Sequence, residues 1–369
     1  MKRILSVLPI LVLIFGCSGE SKTGYEITGA LAGDVEEGTL VFLRKSDENM
    51  RPIPGDTTKV VQGAFKFTGE ATTPELRYIF VDGVNAGVPV IVENGSIAVT
   101  AHRDSLGNAE VAGTPQNEAY TAFIEGTRNL VVRRNSINSE MQAAMQSRDT
   151  ANINALRDEF FELQGSAVDF EKTFVEEHPD ALISAMLVNR MLQSGSLSVP
   201  EVATLFEGLD ASLRQSALGT RIDSQISTQM LTAIGSKAPD FTAPTPSGDA
   251  LSLNQVLGKV TLVDFWAAWC RPCRAENPNI VRVYQKYKDK GLSVLGVSLD
   301  RNASDWVNAI EQDGLTWHHV SNVRYFDEIA ELYNVRAIPA SFILDENGVI
   351  VAKNLRGDDL EAKIAELLP

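Results

Sequence analysis

Two cysteines, Cys270 and Cys273, flank Arg271 and Pro272 in the stretch FWAAWCRPCRAENP, residues 265–278. Thiols at this spacing serve one of three chemistries: a zinc clip, a structural disulfide or a reversible dithiol. A structural zinc site takes about four ligands, normally two such pairs or one pair with closely spaced histidines. No second pair exists, and His318 and His319 are adjacent, so on a strand they would point to opposite faces. A disulfide closing so short a loop restrains the unfolded chain little, because the entropic effect grows with loop length. Reversible redox chemistry is what remains.

The surrounding pattern says how the thiols would be placed. VTLVDFWAAW, residues 260–269, reads as a buried strand and residues 271–289 as a helix. Cys270 therefore ends a strand-to-helix turn, where the positive helix end and its free N–H groups stabilise a thiolate. That makes Cys270 the attacking nucleophile. Cys273, one helical turn on, is the resolving thiol that breaks the mixed disulfide. Trp269 is expected to shield the disulfide and Trp266 to pack in the core. Arg271, between the thiols, favours the thiolate and a more oxidising potential. Downstream come a second buried strand (LSVLGVSLD), a helix over 303–313, a helix in FDEIAELYNV, a hairpin with an Asn-Gly turn (ASFILDENGVIVAKN) and a closing helix to 368. The order predicts an α/β domain over 235–369, a central mixed sheet flanked by helices on both faces.

Upstream, residues 25–114 alternate apolar and polar in short runs broken by Gly, Pro, Asn and Asp, which predicts an antiparallel β-sandwich or small barrel. Its single histidine, His102, reads as a surface or turn residue. Residues 115–234 change to apolar spacings of three and four, a helical region. The first 17 residues carry Lys2 and Arg3, an apolar run from Ile4 to Phe15, and Gly16-Cys17. The run falls short of the ~20 residues that span a bilayer and reads as a secretion signal. Ile14-Phe15-Gly16-Cys17 resembles a bacterial lipobox, which implies a lipid on Cys17, a tether over 18–24 and a place in the cell envelope, facing the periplasm, on the inner or outer membrane. With Cys17 so used, Cys270 and Cys273 are the only thiols left, in a compartment where disulfides form readily. The net charge of −15 opposes nucleic acid or anionic headgroups as partners.

Residues 235–369 resemble the thioredoxin fold, and more closely the TlpA/ResA-like extracytoplasmic thiol-disulfide oxidoreductases. The resemblance is carried by GSKAPDFTAPTPSGDALSLNQVLGKV as the N-terminal extension, VDFWAAWCRPC as the active site and VRAIPASFILDENGVI as the distal element. It implies that Pro339 is a cis-proline facing the cysteine pair and that Pro278 is the proline inside the active-site helix. It implies a buried carboxylate at Asp264, where thioredoxin has one and this family often has Asn; burial would raise its pKa so that it could take the Cys273 proton, the alternative being a merely hydrogen-bonded carboxylate. Glu276 matches a glutamate that tunes the thiols; from its position alone it could equally be a solvated helix residue. Pro272 before the second cysteine favours reductants. The implied partners are client proteins with disulfides or thiols, among them cytochrome c apoproteins whose Cys-x-x-Cys-His must be reduced before haem attachment. A membrane electron donor of the DsbD/CcdA type is also implied; no metal or organic cofactor is. The competing readings are an oxidase or isomerase using the same residues, and a client-binding lipoprotein whose redox activity is secondary. A peroxidase lacks its Pro-x-x-x-Thr-x-x-Cys context, and a copper chaperone would use a wider cysteine spacing.

Overall fold

The computed structural model describes residues 24–46 and 52–369. Cys17, with the leader and nearly all of the tether, lies outside the described residues. The chain divides into two compact units. One takes the described residues up to Phe170 together with Ala181–Ile183, and the other takes Glu171–Asp180 and Ser184–Pro369.

The first unit holds two four-stranded sheets. One runs β4 (Ala64–Gly69), β1 (Tyr25–Ala32), β7 (Gly95–His102), β8 (Glu110–Ala112); the other runs β3 (Pro52–Lys59), β2 (Leu40–Ser46), β5 (Glu75–Val81), β6 (Gly87–Val92). Alternate residues of both, among them Ile27, Leu43, Phe67, Ile79, Val90 and Ile97, meet in one apolar cluster, so the sheets form a sandwich. Gly29 has a positional reason: a Cβ there would lie 1.9 Å from the Phe65 ring. The pairings are antiparallel except β1 with β7, which is parallel from Tyr25↔Gly95 to Ala32↔His102. Alternation alone does not distinguish the two, because both put every second residue inward. His102 is exposed, and its Nδ1 accepts the Asp104 N–H at 3.2 Å, a turn role. Two long helices follow, α1 (Pro115–Ser147) and α2 (Thr150–Glu177), packed in part through Ile137, Ala144 and Leu156. Arg133 clamps them by pairing with Glu140 and Glu159.

In the second unit, α3 (Leu182–Ser194), α4 (Val199–Gly208), α5 (Ala211–Arg214) and α6 (Ala217–Met230) precede the α/β domain. A short ribbon, β9 (Thr242–Pro244) and β10 (Ala250–Ser252), leads into a five-stranded sheet. Its order is β13 (His318–Val320), β12 (Leu292–Ser298), β11 (Val260–Trp266), β14 (Ala340–Asp345), β15 (Ile350–Lys353). β11 pairs parallel with β12 and antiparallel with β14, the mixed sheet that the element order predicts. Every residue of β11 is buried, as a central strand covered on both faces must be. Leu262 and Trp266 pack toward α7 (Arg271–Tyr287) and α10 (Gly357–Leu367), whereas Val263 and Phe265 pack toward α9 (Glu328–Leu332) and the N-terminal extension. The extension also covers the start of a sheet edge: the Gly235 and Ala238 N–H groups donate to the Ile350 and Gly348 carbonyls, and Ile350 N–H donates to that of Ser236. On the other side Ser321 N–H donates to the Pro244 carbonyl. No helix among the described residues is long and apolar enough to cross a membrane.

His318 and His319 do lie on a strand, β13, and they split as expected, His318 exposed and His319 buried. His319 stacks on Trp317 at 5.8 Å and lies opposite Gly296, where a Cβ would come within 2.4 Å of Nδ1. Burial pushes the His319 pKa down to about 4. An unfolded histidine titrates near 6.5, so on acidification the unfolded chain takes up a proton that the folded chain refuses. This share of stability is full above about pH 6.5 and falls by about 3 kcal/mol as the pH drops to about 4. Urea melts of the wild type and His319→Phe between pH 7 and 4 should show the variant losing less stability over that window.

Candidate active site

Cys270 is the N-cap of α7 and Arg271 its first residue, with Pro272 next, where a missing N–H costs nothing. Cys270 and Cys273 are joined in a disulfide with Cα atoms 5.3 Å apart, and both are buried. The Cys273 N–H points at Cys270 Sγ, 3.2 Å away, so the helix terminus expected to hold a thiolate is in place. Pro278 sits inside α7. The turn before the helix is fixed by Asp300. Both of its buried carboxylate oxygens accept the Ala268 N–H, at 3.1 and 2.9 Å, and Oδ2 also accepts the Ser298 hydroxyl at 2.8 Å. Arg274 and Asn277 on α7 both donate to Asp313, at the end of α8 (Ala303–Asp313), which anchors the catalytic helix from behind.

The Ile338–Pro339 peptide is cis. Pro339, Asp264 and Glu276 line one small cavity of about 10 Å³, at the lower limit of what holds a water molecule, together with Leu262, Ile280 and Arg356. Alternation along β11 puts Asp264 on the same face as Leu262 and Trp266, the face covered by α7. Burial pushes its pKa up to about 7; the Glu276 charge adds to the rise and Arg356 opposes it. A group with that pKa exchanges protons near neutrality, as a proton relay requires. Glu276 is half-buried rather than freely solvated: its Oε1 accepts the Gly357 N–H at 2.8 Å and the Asn279 amide at 2.7 Å, joining α7 to the first turn of α10. Arg356 Nη2 donates to the Pro339 carbonyl at 2.6 Å, a tie to the cis-proline that no local motif announces.

These neighbours yield a test with opposite signs. Glu276→Gln removes the repelling charge and should lower the Asp264 pKa, whereas Arg356→Gln removes the attracting charge and should raise it further. Carboxyl carbon chemical shifts followed against pH report both; equal shifts in the two variants would contradict the arrangement.

Trp269 stands at the mouth of the turn, 52% exposed, beside the exposed Arg271 and Pro272. Its ring is 5.6 Å from that of Tyr325, and the Arg301 guanidinium lies 4.4 Å from the Tyr325 centroid. Trp266, three residues earlier, is a core residue, 1% exposed. The structure thus sets Trp269, Cys270, Arg271, Pro272 and Cys273 at the head of α7, and gathers Asp264, Glu276 and Pro339 around the small cavity. Arg356, Asp300, Arg301 and Tyr325 join them from segments with no motif of their own.

A redox-active Cys-x-x-Cys capping the helix after a central strand, backed by a buried carboxylate and a cis-proline loop, places this domain among the thioredoxin-fold thiol-disulfide oxidoreductases. The model of the AhpC/TSA family matches residues 234–353, and that of a domain of unknown function, DUF4369, matches residues 25–120. Thiol-disulfide oxidoreductase ResA of Geobacillus kaustophilus is 31% identical over 140 residues, 37% of this chain and 79% of that protein. ResA of Oceanobacillus iheyensis is 32% identical over 145 residues, 37% of this chain and 73% of that protein. Among solved structures, the thioredoxin domain of a thiol-disulfide oxidoreductase from Bacteroides vulgatus is 41% identical, covering 37% of this chain and 99% of that one with a TM-score of 0.35. The chain belongs to the ResA family of thiol-disulfide oxidoreductases.

Proposed function

We propose that the protein acts outside the cytoplasm, tethered by lipid on Cys17, and uses the Cys270–Cys273 dithiol to reduce disulfides in client proteins. The Cys270 thiolate attacks one sulfur of the client disulfide. A Cys270–client S–S bond forms, and the client's other sulfur leaves as a thiolate that takes a proton. Cys273 passes its proton to Asp264 and its sulfur attacks Cys270 Sγ, which releases the second client thiolate. Two electrons have moved to the client, and the Cys270–Cys273 disulfide is the product. A dithiol donor must then reduce it, and a membrane donor of the DsbD/CcdA type suits a tethered enzyme. Cytochrome c apoproteins, with their Cys-x-x-Cys-His, are the proposed client class, and residues 25–230 position the domain or recognise the client.

The observation that carries this reading is Cys270 Sγ at the N-terminus of α7, within reach of the Cys273 N–H. Pro272 between the thiols and the absence of a histidine there favour the reductive direction. The test is the reduction potential of the Cys270–Cys273 couple, measured on the chain lacking its first 17 residues in glutathione or dithiothreitol buffers with thiol trapping. A value near about −270 mV is expected of an electron-fed reductase, and one near about −120 mV would make the protein an oxidant or isomerase.

A further inference from the structure

The rim of the site differs in character from the chain as a whole. The protein carries a net charge of −15, yet two arginines stand at this rim, Arg271 next in sequence to Cys270 and Arg301 over the Tyr325 ring that meets Trp269. Both are exposed, and neither makes an ion pair with a carboxylate among the described residues. Between them lies an aromatic ledge: Trp269 is 52% and Tyr325 49% exposed. Leaving two large aromatic rings half in water forgoes burial that a core position would give.

The ledge is also held in a costly conformation. The segment from Ser321 to Asp327 contains two non-glycine residues in the left-handed region, Val323 at φ 53° and Phe326 at φ 43°. A β-branched residue at positive φ is a real outlier, and such strain persists only where the surroundings enforce it. Here Ser321 Oγ donates to the Ser298 carbonyl at 2.8 Å and accepts the Val323 N–H at 3.0 Å. Asp327 caps α9 by accepting the Ile329 and Ala330 N–H groups, and Asn322 donates to its other oxygen at 2.7 Å. Phe326 packs edge-on against Tyr325 at 4.7 Å. The loop is tied at both ends, and Tyr325 is set next to Trp269 before any partner arrives.

We propose that Trp269, Tyr325 and Arg301 form a client-binding ledge that selects polypeptide segments carrying an apolar side chain and an acidic side chain beside the cysteine under attack. The apolar group would cover the exposed rings. A guanidinium stacked on an aromatic ring keeps its N–H edges for a carboxylate, a role for which lysine is no substitute. The choice of an acidic partner follows from charge complementarity with Arg271 and Arg301. The proposal deepens the reductase reading and shares with it only the need for a client chain to reach Cys270.

The test uses the reduced protein without its first 17 residues and two peptides, each closed by one disulfide. They are identical except that a Phe-Glu pair beside the first cysteine in one becomes Phe-Lys in the other. Single-turnover rates should favour the glutamate peptide by about tenfold, the scale of one charge-assisted contact. In Arg301→Glu the preference should reverse, and Arg301→Lys should not restore it fully. Because the readout is a ratio of two rates on one preparation, the active fraction and the thiol reactivity cancel, and reversal of the preference, unlike its mere loss, cannot come from loss of fold. Equal rates on the two peptides, or an unchanged ratio in Arg301→Glu, would overturn the proposal while leaving the chemistry intact. Failure to reduce hydroxyethyl disulfide as well would instead sink the oxidoreductase reading beneath it. Concentration-dependent dimerisation that shields Trp269 from iodide quenching would assign the ledge to a second copy of this chain and likewise overturn it.

Discussion

A Cys273→Ser variant should capture client protein and fail to release it. Cys270 keeps its place as the N-cap of α7, so attack on a client disulfide proceeds and the mixed disulfide forms. Release needs a second sulfur one turn along the same helix, and serine supplies none. Multiple turnover should fall at least about a thousandfold, because the remaining route is slow attack by thiols from solution. A covalent adduct should then accumulate, visible on a non-reducing gel and dispersed by dithiothreitol. Cys270→Ser should give neither turnover nor adduct. If the adduct formed with Cys270→Ser instead, the roles of the two thiols would be reversed.

Asp264→Asn should make the protein more stable while slowing it. Buried on β11, the carboxyl has its pKa pushed up to about 7, against about 3.9 in an unfolded chain. Between those values the folded state holds a proton that the unfolded state gives up, so the wild type loses stability as the pH rises through about 7. Above that the ionised carboxylate costs the fold about 4 kcal/mol, which asparagine avoids. The gain should be largest at pH 8 and vanish below about pH 4. The trend is opposite in sign to that of His319 in the same window, and comparing each variant with the wild type at every pH separates the two. The cost appears in turnover. Without a group to take the Cys273 proton, resolution should slow by about 10²-fold or more near neutral pH, and mixed disulfide should build up before decaying. A variant no more stable at pH 8 than at pH 4, relative to wild type, would show that the carboxylate is not the buried acid described.

The chemistry was legible because it is local. A Cys-x-x-Cys after an unbroken apolar run locates the disulfide and the helix N-terminus that Cys270 caps within a dozen residues, and strand alternation puts Asp264 on the face of Leu262 and Trp266. The helix over 303–313 and the Asn-Gly hairpin were legible for the same reason. What escaped was brought in by topology. Arg356 reaches Pro339 from seventeen residues on, and Tyr325 meets Trp269 across the sheet's end. Neither contact leaves a periodic or compositional trace. The parallel pairing of β1 with β7 was hidden by the sameness of parallel and antiparallel alternation.

The pairing at the start of β15, with the Ser321–Pro244 bond on the far side, bears on how this sheet meets other extended chains. Bare strands add to an open sheet margin and can then nucleate further addition. Here one margin is covered at its start by the protein's own residues 235–238, and the other is a strand of three residues. An extended chain that approaches this sheet finds one margin covered at its start and the other only three residues long.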